Sequence, residues 1–199
     1  VLFRRLCQLY AGLALYGASM ALMIHANLGL DPWDVFHQGL ARRLPLSFGA
    51  VTMVTGAAVL LLWIPLRQRP GLGTVSNVVV IGLAVDATSA LLPTPHAIVP
   101  RLALLACGIV LNAVAGGAYI GAGFGPGPRD GLMTGFHRRT GRSLRLTRTA
   151  IEVTVLVLGI LLGGTAGLGT LAYALTIGPL VQFFLPLLTP APRPAPSAA

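Results

Sequence analysis

Pro32-Trp33-Asp34, with Gly39 and Arg42-Arg43 behind it, returns ninety-six residues later as Pro128-Arg129-Asp130, Gly135 and Arg138-Arg139. In the same register, Gly71-Leu72-Gly73-Thr74 returns as Gly167-Leu168-Gly169-Thr170. Flanking identities need no gap: Ile24 with Ile120, Ala26 with Ala122, Gly29 with Gly125, Ser47 with Ser143, Ile81-Gly82 with Ile177-Gly178. The chain is a unit followed by its copy. Duplicated membrane units are a common plan of transporters, and the duplication states which residues to compare as pairs.

Composition fixes the class. With 55% hydrophobic residues, 10% charged ones and a mean hydropathy of +0.80, the chain has too little polar surface to cover a water-soluble globule of 199 residues. The net charge of +9 comes from arginine alone, since all fourteen Lys and Arg positions are Arg. These arginines lie between apolar runs, so they read as topology signals and lipid-headgroup contacts, and nucleic-acid binding is not expected. Cys7 and Cys107 lie at the start of one apolar run and inside another, which supports neither a disulfide framework nor a zinc site. No cofactor is implied.

Six apolar runs are expected to be spans: about Leu9 to Leu28, Phe48 to Leu66, Val75 to Leu92, Leu102 to Ile120, Ala150 to Gly164 and Leu168 to Leu188. Most approach the roughly twenty residues a helix needs to cross about 30 Å of hydrocarbon. The fifth is short unless residues 144–149 extend it, with Arg145 and Arg148 snorkelling to the headgroups. Two segments of about twelve residues, Pro32 to Arg43 and Pro128 to Arg139, are too short and too charged to cross, so each reads as an interfacial or re-entrant helix. The organisation expected is a first repeat of three spans at 1–92, a connector at 93–100, a second repeat of three spans at 101–188, and a disordered Pro/Ala-rich tail at 189–199.

With the amino terminus on side one, that side collects Arg4, Arg5, Arg67, Arg69, Arg129, Arg138, Arg139, Arg142, Arg145, Arg148 and Arg193, leaving Arg42, Arg43 and Arg101 opposite. Side one is then cytoplasmic, with both termini on it. Three spans per unit is an odd number, so the expected fold is all-α with two inverted three-helix repeats. The first run is too long and too much part of the repeat for a cleavable signal peptide. A chain opening on Val1 is expected to have lost a few residues or to use an alternative start codon.

The stretches Gly29-Leu30-Asp31-Pro32-Trp33-Asp34-Val35 with His37-Gln38-Gly39-Leu40, Gly125 to Met133, Arg148 to Val153, and Ile177-Gly178-Pro179-Leu180-Val181-Gln182 resemble the bacterial integral membrane proteins of the YczE type, related in naming to the YitT group. The resemblance covers nearly the whole chain outside the proline-rich tail. It implies a bacterial inner-membrane protein and carries over no catalytic or binding residue.

The five acids, Asp31, Asp34, Asp86, Asp130 and Glu152, are few enough to weigh singly. A plain structural account makes Asp31 the N-cap, Pro32 the first helical residue and Asp34 a partner of the exposed amide donors, with Asp130 repeating this after Gly127-Pro128-Arg129. A functional account lets both short helices dip toward the midplane, with Asp34 and Asp130 as cation-contacting or coupling carboxylates. Trp33 against Arg129, and Asp31 against Gly127, make such a site asymmetric. Asp86, in the third span, is a further candidate, with Gln182 as its mate in the copy. The turns Gly71, Gly73, Thr74 and Gly167, Gly169, Thr170 are expected to start the third and sixth spans, with anion binding by their amides as the weaker reading. Arg148 and Glu152 stand at a same-face helical spacing and read as an ion pair. No histidine shows metal-ligand spacing, and each reads as interfacial or hydrogen-bonded.

A small permease or secondary transporter is the first expectation. A non-transporting accessory, assembly or regulatory protein is the second, with the arginines from Arg138 to Arg148 offered to anionic lipid or acidic protein. An enzyme is not expected, because no Ser-His, paired-carboxylate or metal constellation stands at a useful spacing. A homodimer is one way for six spans to enclose a path.

Overall fold

A computed structural model describes residues 2–189, and those residues form eight helices and no strand. They are α1 (Leu2–Ala26), α2 (Pro32–Ala41), α3 (Phe48–Leu66), α4 (Leu72–Ser89), α5 (Ile98–Gly121), α6 (Pro128–Thr140), α7 (Leu144–Leu161) and α8 (Leu168–Leu188). From α2 with α6, through α3 with α7, to α4 with α8, each pair starts at matched positions of the repeat. The expected tail lies, apart from Thr189, outside the described residues.

Local chemistry sets the starts. Asp31 accepts from the Asp34 amide at 2.9 Å and is followed by Pro32, whose missing N–H costs nothing in a first turn. Ser47 and Ser143 cap α3 and α7 by accepting from the amides of Ala50 and Leu146. Thr74 and Thr170 sit one turn inside α4 and α8, and their hydroxyls accept the amides of Gly71 and Gly167 at 3.1 and 3.2 Å.

Five helices, α1, α3, α4, α5 and α8, are long and apolar enough to cross a membrane. The eighteen residues of α7 include Arg145, Arg148 and Glu152, so it falls short of that standard although the Ser143 cap extends it as the sequence suggested. On α8 only Gly169 and Thr170 are buried, while Leu171, Leu175 and Leu187 stand exposed. Apolar surface of that extent suits lipid, not water.

The centre is the pair α1 and α5. Arg5 lies against Ala122, Gln8 against Ala118, Ser19 against Asn112, and Ala26 against Arg101, so the two helices run antiparallel. Glycines permit the close approach: a Cβ on Gly12 would lie 2.8 Å from the Tyr119 nitrogen, and one on its mate Gly108 would lie 2.7 Å from Met23 Cγ. Around this pair, α4 packs on α1 and α8 on α5, while α2 packs on α7 and α6 on α3. Each short helix therefore lies mainly against a long helix of the other half.

Contacts recur with the halves exchanged. Arg5 Nε donates to Ala122 O at 2.9 Å, and Arg101 Nε donates to Ala26 O at 2.8 Å. The Gly73 amide donates to Phe124 O at 2.9 Å, and the Gly169 amide to Leu28 O at 2.7 Å. Arg43 donates to Leu161 O, and Arg139 to Pro65 O. Gly29 and Gly125 both adopt a φ of +114°, and each abuts the helix-start turn of the other half. These arginines thus satisfy helix-end carbonyls as well as supplying charge, a role that composition alone does not disclose.

Candidate functional site

The N-termini of α2 and α6 converge beside a cavity of about 100 Å³ among α1 to α6, whose walls include Tyr16, Thr52, Asn77, Tyr119, Arg129 and Asp130. Thr52 to Val59 of α3 and Asn77 to Ile81 of α4 line it, so it lies away from the ends of both helices.

Of the charged groups, Arg129 and Asp130 line it, and Arg129 reaches on to two acids that do not. Arg129, from the first turn of α6, reaches across to the other half, with Nη1 3.7 Å from Asp31 Oδ1 and Nη2 3.5 Å from Asp34 Oδ1. Its guanidinium carbon lies 5.1 Å from the centre of the Trp33 ring, an arrangement in which the cation faces the π-cloud. His37, one turn after Asp34, donates from Nδ1 to Asp34 Oδ1 at 3.2 Å, and Thr52 Oγ1 lies 3.4 Å from the same nitrogen. Asp31 is 2% exposed and Asp34 0%, yet the second oxygen of each carboxylate, and the indole N–H of Trp33, have no hydrogen-bond partner among the described residues.

At ten and thirteen residues, α2 and α6 are too short to cross a membrane. Burial, then repulsion from Asp34, raises Asp31 to about 6 against the opposing pull of Arg129. Burial raises Asp34 as well, with Arg129 pulling the other way. Burial, then the neighbouring guanidinium, pushes His37 down to about 3, which leaves its imidazole neutral near pH 7. The arrangement is a buried acid pair held by one cation and a neutral histidine.

Sequence reasoning placed Asp31, Trp33, Asp34 and Arg129 among the candidates, and the fold brings these four together. Arg129 had also been counted as a topology signal on side one. That reading is corrected, because its guanidinium points inward to two acids of the other half. Asp34 and Asp130 do not partner each other: Asp130 borders the cavity and accepts from the Tyr119 hydroxyl at 3.0 Å. Asp86 lies elsewhere, accepting from Ser47 Oγ and from the Gly49 amide at 2.8 Å at the start of α3. Gln182 is exposed on α8. In the turns Gly71-Gly73-Thr74 and Gly167-Gly169-Thr170, several amides already donate to protein oxygens, those of Gly73 and Gly169 to carbonyls of the opposite half. Arg148 and Glu152 do pair, at 2.9 Å.

The sequence reads His37 as an interfacial or hydrogen-bonded histidine, and it is hydrogen-bonded, but neither it nor Tyr119 stands among the expected site residues. The only signal for His37 was its spacing one turn after Asp34, which any amphipathic helix produces by chance. Tyr119 carried none, because its contact depends on how deeply α6 enters. Nearby, Tyr173 donates to Asn112 Oδ1 at 3.0 Å and Asn112 donates to Ser19 Oγ at 2.9 Å, a chain of bonds that ties α8, α5 and α1 behind the site.

Comparison with known proteins agrees with a membrane setting. An "Uncharacterized protein" of Haemophilus influenzae is 37% identical over 191 residues, 96% of this chain and 88% of the relative. The "Uncharacterized membrane protein YczE" of Bacillus subtilis is 32% identical over 179 residues, 89% of this chain and 83% of the relative. The "Uncharacterized protein YyaS" of the same organism is 24% identical over 181 residues, 89% of this chain and 90% of the relative. No solved structure matches. Residues 3–186 match the "Family of unknown function (DUF6198)", and the chain belongs to that family.

Proposed function

We propose that the protein is a small bacterial inner-membrane permease or secondary transporter, with the Asp31–Asp34–Arg129 cluster as its central binding site. On this reading α7 is the sixth span, α2 and α6 are re-entrant half-helices, and the halves are inverted-topology repeats related by an axis in the membrane plane. The antiparallel α1–α5 pair and the contacts that recur with the halves exchanged support that arrangement. The arginine excess, even with Arg129 withdrawn from the count, supports the reading with both termini in the cytoplasm.

One observation carries the proposal: two fully buried carboxylates from one half, with unpartnered oxygens, are held by an arginine from the other half beside a cavity. Ionisable groups at such depth are costly and are found chiefly on substrate and ion pathways. Protein in liposomes should carry a solute from a broad panel or an ion down an imposed gradient. Asp34→Asn should reduce that flux to the empty-vesicle rate while the protein stays folded in the membrane. Absence of all flux from the wild-type protein would overturn the reading.

A second reading, an accessory or regulatory protein without transport, draws on the cytoplasmic end. Arg67, Arg138 and Arg139 border an open cleft of about 770 Å³ between the ends of α3 and α6, suited to anionic headgroups or an acidic partner. Co-purification of a single partner, lost when Arg138 and Arg139 become Gln, would favour it.

A further inference from the structure

The geometry points to a site for one monovalent cation, a proton or a small alkali or ammonium ion, between the unpartnered oxygens of Asp31 and Asp34. The inference rests on the central site proposed above and names what that site takes.

Charge comes first. Two carboxylates face one guanidinium, and Arg129 approaches only their Oδ1 atoms, which leaves both Oδ2 atoms buried without a donor. A buried acceptor without a donor costs about 1–3 kcal/mol, more when it is charged, so native proteins rarely leave two in one place. A cation answers the surplus negative charge and both oxygens together, whereas an anion would meet two carboxylates already ahead of their single arginine.

The surroundings add no competing positive charge. From α2 comes His37, held neutral by burial and by Arg129. From α6 comes Asp130, a further acid beside the cavity, and from α1, α5 and α8 come the phenols Tyr16, Tyr119 and Tyr173. The wall formed by α3 and α4 offers neutral Thr52 and Asn77. On α7, which packs along α2, Arg148 is matched by Glu152. The Trp33 N–H is a lone donor that suits a water oxygen accompanying the ion, and Trp33 and Arg129, unlike the two acids, line the adjoining cavity of about 100 Å³.

The test is equilibrium binding to the detergent-purified full chain, read by tryptophan fluorescence, because Trp33 stacks on the arginine that a bound cation would repel. Sodium, potassium or ammonium chloride replaces choline chloride at constant ionic strength and pH 8. Separately, pH is lowered from 8 to 5 in choline chloride. A saturable response to one small cation assigns an alkali or ammonium site; a response to pH alone assigns a proton. Where both occur, each pH unit below the acid pair's titration should weaken apparent sodium affinity about tenfold. Asp34→Asn and Asp31→Asn should each abolish the response, and Glu152→Gln, at an ion pair on α7, should retain it. No saturable response in the wild-type protein, or a response that survives both Asp31→Asn and Asp34→Asn, overturns the proposal. Binding without flux in liposomes would refute transport and keep the cation site; flux without a cation response would do the reverse.

Discussion

The α3–α4 pair and the α7–α8 pair begin at matched positions of the repeat and end up differently packed. Gly49 and Gly82 let α3 and α4 close on each other, and a Cβ on Gly82 would lie 2.5 Å from Met53 Cγ. Their mates are Arg145 and Gly178, and a Cβ on Gly178 would meet nothing within 4 Å. Asp86 stitches α4 to the start of α3 through Ser47 and Gly49, whereas its mate Gln182 is exposed. So α7 and α8 barely touch, and the long side chains of Arg145, Arg148 and Glu152 occupy positions that Gly49, Thr52 and Gly56 hold in the closed pair. Three small residues and one acid separate a closed groove from an open one. On the proposed transport reading, each half displays the packing that the other would adopt when access passes to the opposite face.

The largest effect should come from filling the closed groove. Gly49→Leu drives a side chain into Gly82 and Asp86, the latter 2.6 Å from the new Cβ, and overpacking of this kind costs about 1–3 kcal/mol or more. Gly178→Leu, the same change at an open position of the other pair, should stay within about 0.5 kcal/mol. Thermal melts of both variants in one detergent check this, and equal losses would mean that the two grooves are not different. The stitch comes next. Asp86→Ala removes a charged acceptor from Ser47 Oγ and the Gly49 amide, so a loss of about 1–3 kcal/mol is expected, while Gln182→Ala should leave the melting temperature unchanged.

How much of this could be read from the sequence depends on the range of the interaction. Helix starts are local: Ser47, Ser143, Asp31-Pro32 and the Gly-x-Gly-Thr turns announce them, and the structure starts helices there. Asp34 was legible because the two copies share an acid there, and Asp31, Trp33 and Arg129 because the copies differ at those positions. Their assembly was not. That Arg129 and not Asp130 meets the acids of the first half follows from α2 lying along α7, where Gly39 and Gly159 allow the helices to touch. On the other side Trp63 stands in place of Gly159, fills the space beside Gly131 and bonds Pro128 O at 3.0 Å, which sets α6 on α3 differently. A contact between elements brought together only by tertiary packing has no pattern in the sequence of either.

The smallest effect tests what fills the open groove. Arg148 and Glu152 pair at 2.9 Å near the outer surface of α7, with 58% and 32% of their side chains exposed. In water such a pair contributes about 0.2–1 kcal/mol. Against lipid, removing one partner would strand a charge that costs about 2.5–3.5 kcal/mol at the centre of a helix, so the penalty for Glu152→Gln reports the medium. A groove that serves as an access route must hold water, and the expected loss is therefore below about 1 kcal/mol in thermal melts of protein reconstituted in lipid. A loss near 3 kcal/mol, recovered when Arg148→Leu is added, would mean that acyl chains fill the space between α7 and α8. The open and closed pairs would then differ in packing without differing in access, and the comparison would no longer support alternating exposure of the central site.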